Sequence, residues 1–287
     1  MNRFVRLAVV LAFVASAARA ADAPAQRIVS AGGAITEIVY ALGFADNIVA
    51  VDTTSYYPPD AMKKPKVGYL RQLAAEPILA LQPTLLLADG DAGPPDVLAQ
   101  MRDAGLDIVM APDDPSPEGV LVKIDLVATA LGVPEKGAVL AARLQSELSA
   151  LKARIDTARH RPRVLFLLSI GQGGAPLAAG TDTAAAEIIR MAGGKNVVDS
   201  FEGYKPLSPE AMVAAAPDII LATHRSLGLL GGQDTLLAIP EIAATPAGAE
   251  RRVIAMDGLL LLGFSLRLPQ AVRGLANALH PNLKLAD

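Results

Sequence analysis

Short apolar runs alternate along the chain with longer segments in which apolar residues recur every three to four positions. Runs of four to eight apolar residues between polar or glycine-containing segments are typical of buried parallel strands, whereas the longer period is typical of amphipathic helices. The alternation continues through both halves of the chain, which predicts parallel β/α units and an α/β fold. The predicted strands span residues 27–30, 48–52, 84–88, 107–110, 163–170, 218–222 and 252–256.

An internal repeat accompanies this pattern. Residues 73–88 and 207–222 are identical at six of sixteen positions, and each copy predicts a helix with a glutamate in its first turn, a proline break and a buried strand. Residues 37–43 and 187–193 form a second similar pair, each ending in a glycine that closes a helix. The duplication predicts two similar Rossmann-like lobes, and a cleft between lobes is a common place for a small ligand.

One long amphipathic segment lies between the two halves. Its apolar stripe, Leu140, Leu144, Leu148, Leu151 and Ile155, predicts a single helix over about 134–159. We interpret this helix as the connection between the lobes, although an ordinary crossover helix within one domain would show the same stripe. A helical connection is stiff, so we expect small rocking of the lobes and no large hinge closure. The predicted division is therefore an N-terminal lobe at 21–133, a linking helix at 134–160 and a C-terminal lobe at 161–287.

The first twenty residues predict an export signal. Arg3 and Arg6 precede an apolar stretch at 7–14 that is too short to span a bilayer, and the Ala-Arg-Ala sequence at 18–20 fits a cleavage site. The chain has no cysteine for a disulfide or a lipid anchor, so we expect a soluble monomer in a bacterial periplasm, without membrane insertion. Loss of this segment, which carries three arginines and no acids, leaves a net charge of −6, and that charge disfavours nucleic acid as a partner.

Composition argues against several kinds of site. The absence of tryptophan and an aromatic content of 4% disfavour a sugar-binding platform. The histidines are too few and too scattered for a three-histidine metal site: His160, His224 and His280.

Catalytic motifs are incomplete as well. Residues 263–267 depart from the G-x-S-x-G pattern at their last position, and residues 171–176 have a proline where a dinucleotide fingerprint needs its third glycine. We therefore do not expect an enzyme, although a secreted α/β enzyme using His224 or Ser265 is retained as an alternative.

Residues 66–73, Lys-Val-Gly-Tyr-Leu-Arg-Gln-Leu, carry the strongest candidate chemistry. An arginine two residues from a tyrosine places a fixed positive charge beside the phenol, which favours the phenolate. Phenolate is a hard anionic ligand suited to ferric iron, and tyrosine is one of the axial ligands of haem iron in proteins. Tyr69 and Arg71 are therefore candidate iron-site residues, with a surface tyrosine that packs on its own lobe as the alternative.

This segment, together with residues 51–58, 91–95 and 223–227, resembles the periplasmic haem-binding proteins of Gram-negative ABC-type haem importers. The resemblance covers about residues 27–279. It implies a two-lobed fold with one linking helix, a class shared with siderophore- and cobalamin-binding proteins. It also implies that the protein captures ferric haem between its lobes and delivers it to the permease dimer of an inner-membrane ABC transporter. Another iron chelate, such as a siderophore, is the alternative ligand.

The resemblance assigns roles to individual residues. It implies that Tyr69 is the axial ligand of the haem iron, that Arg71 supports it, and that Arg225 reaches the haem from the second lobe. His224 would be either a second axial ligand or a structural residue, and Tyr204 would either line the cleft or pack in its own lobe. Family members with a second haem use a histidine of the second lobe, and the loop at 169–174 has none, so we expect a single haem.

Docking residues follow from the repeat and the resemblance together. A glutamate in the first turn of a helix is favoured by the helix dipole in any protein. In the resembled family, however, paired glutamates on the two lobes meet arginines of the two permease subunits. Glu76 and Glu210 match these positions, and Glu37 and Glu187 are the alternative pair.

Overall fold

The N-terminal lobe is built on a parallel sheet. The computed structural model describes residues 26–170 and 175–286, so the predicted export signal lies outside the described residues. Four strands pair in the order β2-β1-β3-β4, with the central β1 and β3 fully buried. The strands are β1 (Ile28–Ala31), β2 (Ile48–Val51), β3 (Leu85–Ala88) and β4 (Asp107–Met110). The helices of this lobe are α1 (Gly33–Ala41), α2 (Ala75–Leu79), α3 (Pro95–Asp103) and α4 (Pro117–Ala130).

The two lobes are joined by α5 (Pro134–Ile155), as the apolar stripe predicts. The helix ends about one turn earlier than predicted. It packs against α4, and Gly137 allows close approach there, because a Cβ atom at this position would lie 2.4 Å from Cβ of Ala128. Leu144, Leu151 and Ile155 on α5 belong to one buried apolar cluster that includes residues of both lobes. The linking helix is therefore part of the core.

The C-terminal lobe repeats the parallel arrangement and adds antiparallel strands. Its sheet has the order β10-β9-β5-β6-β8, with β7 beside the start of β5. Strands β10, β9 and β5 are parallel, whereas β6 pairs antiparallel with both β5 and β8. The strands are β5 (Arg163–Ser169), β6 (Leu177–Ala179), β7 (Lys195–Asn196), β8 (Tyr204–Pro206), β9 (Ile219–Thr223) and β10 (Val253–Met256).

The helices of this lobe begin at side-chain caps in several places, because a hydroxyl or carboxylate accepts a hydrogen bond from a free backbone N–H. Thr223, for example, accepts from Ser226 N at 3.0 Å. The helices are α6 (Ala184–Met191), α7 (Pro209–Ala215), α8 (His224–Leu230), α9 (Gln233–Leu237), α10 (Pro240–Ala243), α11 (Pro246–Ala249), α12 (Gly258–Leu262) and α13 (Leu268–Leu279).

The predicted fold class, two α/β lobes joined by one long helix, is confirmed. Each copy of the repeat forms the predicted helix and strand, α2 with β3 and α7 with β9. The additional antiparallel strands of the second lobe were not predicted. No helix of the described residues is long and apolar enough to cross a membrane.

Candidate functional site

The candidate site is built on loops that follow the carboxyl ends of the parallel strands. One of them, residues 52–58, is here called the interlobe loop because it contacts the C-terminal lobe. Asp52 fixes its conformation, because the buried carboxylate accepts hydrogen bonds from Gly32 N at 2.9 Å, Ser55 Oγ at 2.6 Å and both N and Oγ1 of Thr54 at 2.8 and 2.7 Å. The loop is therefore a rigid part of the N-terminal lobe.

Tyr56 connects this loop to the C-terminal lobe. Its phenol donates a hydrogen bond to Asp257, with Oη 3.1 Å from Oδ2, and accepts one from Leu259 N at 2.8 Å. Burial raises the pKa of Tyr56 to about 12; the Leu259 N–H opposes this shift and the charge of Asp257 reinforces it. The phenol therefore stays protonated at neutral pH and holds Asp257 as a donor.

A buried ion pair forms a second connection between the lobes. Arg267 donates to Glu37 through Nε at 3.0 Å and Nη2 at 2.6 Å, and Ser265 Oγ donates to the same carboxylate at 2.7 Å. The guanidinium also lies over the ring of Tyr57, with Cζ 3.6 Å from the ring centroid. The Glu37 side chain is only 3% exposed. Glu37 is thus buried and paired between the lobes, which disfavours the alternative docking pair of Glu37 and Glu187.

The structure brings Tyr69 and Arg71 together. Tyr69 lies between Gly68, whose φ of +95° turns the chain, and a short 3₁₀ turn at Leu70–Gln72, and its side chain is 37% exposed. Arg71 donates from Nη1 to the Tyr69 phenol oxygen and pairs through Nη2 with the Asp91 carboxylate. Burial opposes the charge on Arg71, yet the bond to Tyr69 and the charge of Asp91 raise its pKa overall. An accessible phenol oxygen with a fixed cation beside it is suited to an electrophilic metal centre.

Arg225 and His224 lie in the C-terminal lobe, on a cavity of about 670 Å³ that Tyr56 and Asp257 also line. Apolar walls complete it: Leu168, Ile170, Leu229 and Leu262. Both residues are exposed, and neither side chain forms a hydrogen bond or ion pair with any residue in the described part of the chain. Residues 224 and 225 form the first turn of α8. Both side chains therefore remain candidates for ligand contact.

Tyr204 packs within the C-terminal lobe and lies near the N-terminal lobe. Its ring meets Phe166 edge-on, with centroids 6.3 Å apart and planes at 66°. Burial raises the pKa of Tyr204. In the other lobe, the charge of Asp113 reinforces this shift and the charge of Arg71 opposes it. Tyr204 is thus anchored by packing, near enough to Asp113 and Arg71 for their charges to act on its phenol.

Glu76 and Glu210 occupy equivalent positions in the first turns of α2 and α7, and both are exposed. The pKa of Glu210 is lowered by hydrogen bonds from the Glu210 backbone N–H and from the Ser208 side chain. The two carboxylates are accessible to a partner and lie outside the cavity that Arg225 lines.

A larger groove of about 840 Å³ lies beside α5, between α4 and α6. It contains none of the predicted site residues, and two of the cations that line it are paired, Lys152 with Asp156 and Arg190 with Glu187. Within residues 26–170 and 175–286, no group of three or more His, Asp or Glu side chains is arranged to bind a metal ion.

Comparison with known proteins supplies the family. Residues 28–259 match the periplasmic binding protein family, a span that includes the N-terminal lobe, the linking helix and the C-terminal lobe as far as the start of α12. The chain belongs to this family. Periplasmic binding proteins capture substrates for transport and do not transform them, so the enzyme alternative is wrong. Ser265, the serine of that alternative, is buried and donates to Glu37.

The most similar members of the periplasmic binding protein family include solved haem-binding proteins. The haem-binding protein BhuT in complex with two hemes is 42% identical, with a TM-score of 0.86 and coverage of 90% of this chain and 99% of that chain. The apo form of RhuT from Roseiflexus sp. RS-1 is also 42% identical, with a TM-score of 0.87 and coverage of 91% and 100%. A vitamin B12-binding protein of Vibrio campbellii is 28% identical over 223 residues, 77% of this chain and 79% of that protein.

Proposed function

We propose that this periplasmic binding protein captures ferric haem in the cleft between its lobes, with Tyr69 as the axial ligand of the iron. The observation that carries the proposal is the exposed Tyr69 phenol, whose oxygen accepts a hydrogen bond from Arg71. Tyrosine oxygen is a strong ligand for ferric iron, and the Arg71 guanidinium is bonded to the oxygen that would bind the metal. The similarity to two haem-binding proteins at 42% identity supports the same ligand.

The cavity that Arg225 lines, of which Tyr69 is not a lining residue, suits the remainder of the haem molecule. Leu168, Ile170, Leu229 and Leu262 offer an apolar surface to a flat macrocycle. Arg225, which has no partner among the described residues, is available for a carboxylate of the haem. His224 lies beside it on the same cavity and is the candidate second ligand. The loop on which we base the expectation of a single haem, 169–174, lies mostly outside the described residues.

Cobalamin is the second candidate ligand, because vitamin B12-binding proteins are among the curated relatives. The identities of 28% for that relative and 42% for the haem-binding structures favour haem. The Tyr69–Arg71 pair favours haem as well, because a tyrosine ligand requires an iron atom with a free axial position.

A titration of the purified protein with hemin and, in parallel, with cyanocobalamin tests the function. We expect hemin to bind at one equivalent with a sharp Soret band and a phenolate-to-iron charge-transfer band, and cyanocobalamin to leave its own spectrum unchanged. Saturable binding of cyanocobalamin without a hemin response would identify cobalamin as the ligand in place of haem. Binding of neither compound would contradict the proposal.

We further propose that the protein is exported to the periplasm by residues 1–20 and delivers haem to the permease dimer of an inner-membrane ABC transporter. Glu76 and Glu210 would form ion pairs with basic residues of the two permease subunits. Exposed ion pairs contribute on the order of 1 kcal/mol or less each, but two pairs on separate lobes also set the orientation of docking.

Replacing both glutamates by alanine tests the docking surface. We expect the double variant to weaken docking of the haem-loaded protein to the reconstituted transporter by about tenfold at low ionic strength, because two weak pairs are lost together. The difference should shrink as salt screens the pairs in the unmodified protein. ATPase stimulation as a function of protein concentration measures the effect.

A matched control is available in the same chain. Glu118 and Glu135 are also exposed glutamates in first helical turns, on α4 and α5. Their double alanine variant should dock normally. Equal loss in the two double variants, or a parallel loss of hemin affinity in the Glu76 and Glu210 variant, would contradict the docking role.

A further inference from the structure

Arg71 is held at two points. One amino group of its guanidinium donates to the Tyr69 phenol oxygen, and the other pairs with the carboxylate of Asp91. The Arg71 side chain is otherwise 54% exposed, so without a second anchor it would have many accessible rotamers. Its Cζ also lies over the Tyr69 ring, 5.6 Å from the ring centroid, so the guanidinium contacts the ring as well as the oxygen. The position of Asp91 therefore bears on the position of the charge beside the phenol.

The backbone fixes Asp91 relative to Tyr69. Leu73 N donates to Gly93 O at 2.8 Å, and Gly93 N donates back to Leu70 O at 2.9 Å. These two bonds join the loop after β3, which carries Asp91, to the short turn that follows Tyr69. The carboxylate of Asp91 thus reaches Arg71 from a support tied to the same turn.

The other acids nearby have different partners or act only through their charge. Asp89 forms a buried ion pair with Lys123, with Oδ1 3.1 Å from Nζ. Asp113 is exposed and influences Arg71 by its charge, without a hydrogen bond to it in the described structure. Burial raises the pKa of Asp91, and the charge of Arg71 opposes that shift. Asp91 is therefore the acid that is bonded to the arginine.

We propose that Asp91 is a positioning residue of the haem site, which holds the Arg71 guanidinium against the Tyr69 phenol oxygen and acts on the iron ligand only through Arg71. The inference rests on the proposed haem-binding function. Partners that orient a metal ligand commonly change metal affinity, and a rigid guanidinium fork transmits orientation better than a flexible ammonium.

A double-mutant cycle tests the route of action. We expect Asp91→Ala to weaken hemin binding by on the order of tenfold, the size of a lost charge-assisted hydrogen bond. In an Arg71→Ala background the same substitution should have no further effect, because the residue through which it acts is gone. The matched control is Asp113→Ala, which removes an equal charge without breaking a bond to Arg71 and should leave hemin affinity within about twofold.

A measurement on the apo-protein makes the test independent of haem. In spectra of isotope-labelled arginine, the Arg71 guanidinium, assigned with the Arg71→Ala variant, should show slow rotation in the unmodified protein and in Asp113→Ala. It should rotate rapidly in Asp91→Ala. Additive effects on hemin affinity, or slow rotation of Arg71 in Asp91→Ala, would overturn the inference and leave the proposed function intact. Failure of the unmodified protein to bind hemin would overturn both the proposed function and a role of Asp91 in a haem site, whatever the rotation shows.

Discussion

Tyr69→Phe should weaken hemin binding by more than about 100-fold, because it removes the ligand itself and changes to residues that merely support a ligand already cost 10- to 100-fold. The phenolate-to-iron charge-transfer band should disappear with it. The fold should be unaffected, since only one hydroxyl of a 37% exposed side chain is deleted. Hemin titration followed by absorption, with a thermal melt of the apo-protein, measures both.

Tyr57→Phe is the matched control for this prediction. Tyr57 is 38% exposed, and its ring, which lies against Arg267, survives the substitution. We expect unchanged affinity and an unchanged charge-transfer band in this variant. If Tyr69→Phe kept the spectrum of the unmodified protein, the axial ligand would have to be sought elsewhere, first at His224.

Glu37→Ala should lower the free energy of unfolding by about 3 kcal/mol, because removal of one partner of a buried ion pair leaves the other charge uncompensated. Arg267, which is 16% exposed, and the hydroxyl of Ser265 would both lose their acceptor. The Tyr57 ring retains part of the favourable contact with the guanidinium. Urea unfolding followed by circular dichroism measures the change.

The internal repeat provides the control. Glu187, the counterpart of Glu37, pairs with Arg190 on one surface helix at 2.5 and 2.7 Å. Exposed pairs of this kind are worth less than about 1 kcal/mol, so Glu187→Ala should have a small effect. Similar losses in the two variants would mean that the contact between the lobes contributes no more than a surface pair.

Much of the fold could be predicted because its signals are local. The strand at 107–110 has the predicted bounds, and β2 and β5 each differ from prediction by one residue at one end. The pairing of Tyr69 with Arg71 was also predictable, since the two residues are separated by a single position. A spacing this short places side chains together without knowledge of the tertiary structure.

The contacts between lobes could not be predicted in the same way. Glu37 and Arg267 are separated by 230 positions, and Tyr56 and Asp257 by 201. Nothing in the local sequence of Glu37 distinguishes it from its counterpart Glu187, although one is buried and the other pairs on the surface. Asp91 belongs to a segment that carries the family resemblance, but its bond to Arg71 depends on how two loops meet.

One local signal was available and was missed. Thr223 is a hydroxyl residue at the N-cap of α8, and its side chain accepts a hydrogen bond from Ser226 N. The helix therefore begins at His224. An extended reading of this segment places His224 and Arg225 on opposite faces, whereas successive residues in a first helical turn are about 100° apart. The difference determines whether both side chains are able to serve one ligand.

The interlobe loop has a mechanical consequence. At one end of the loop, Thr53 N donates to the carbonyl of Gly68 at 2.8 Å, one residue before Tyr69. At the other end, Tyr56 and Tyr57 hold Asp257, Leu259 and Arg267 of the opposite lobe. Because Asp52 stiffens the segment between these ends, a force that separates the lobes reaches the backbone beside Tyr69 as tension. The position of Tyr69 and the spacing of the lobes are thus mechanically coupled.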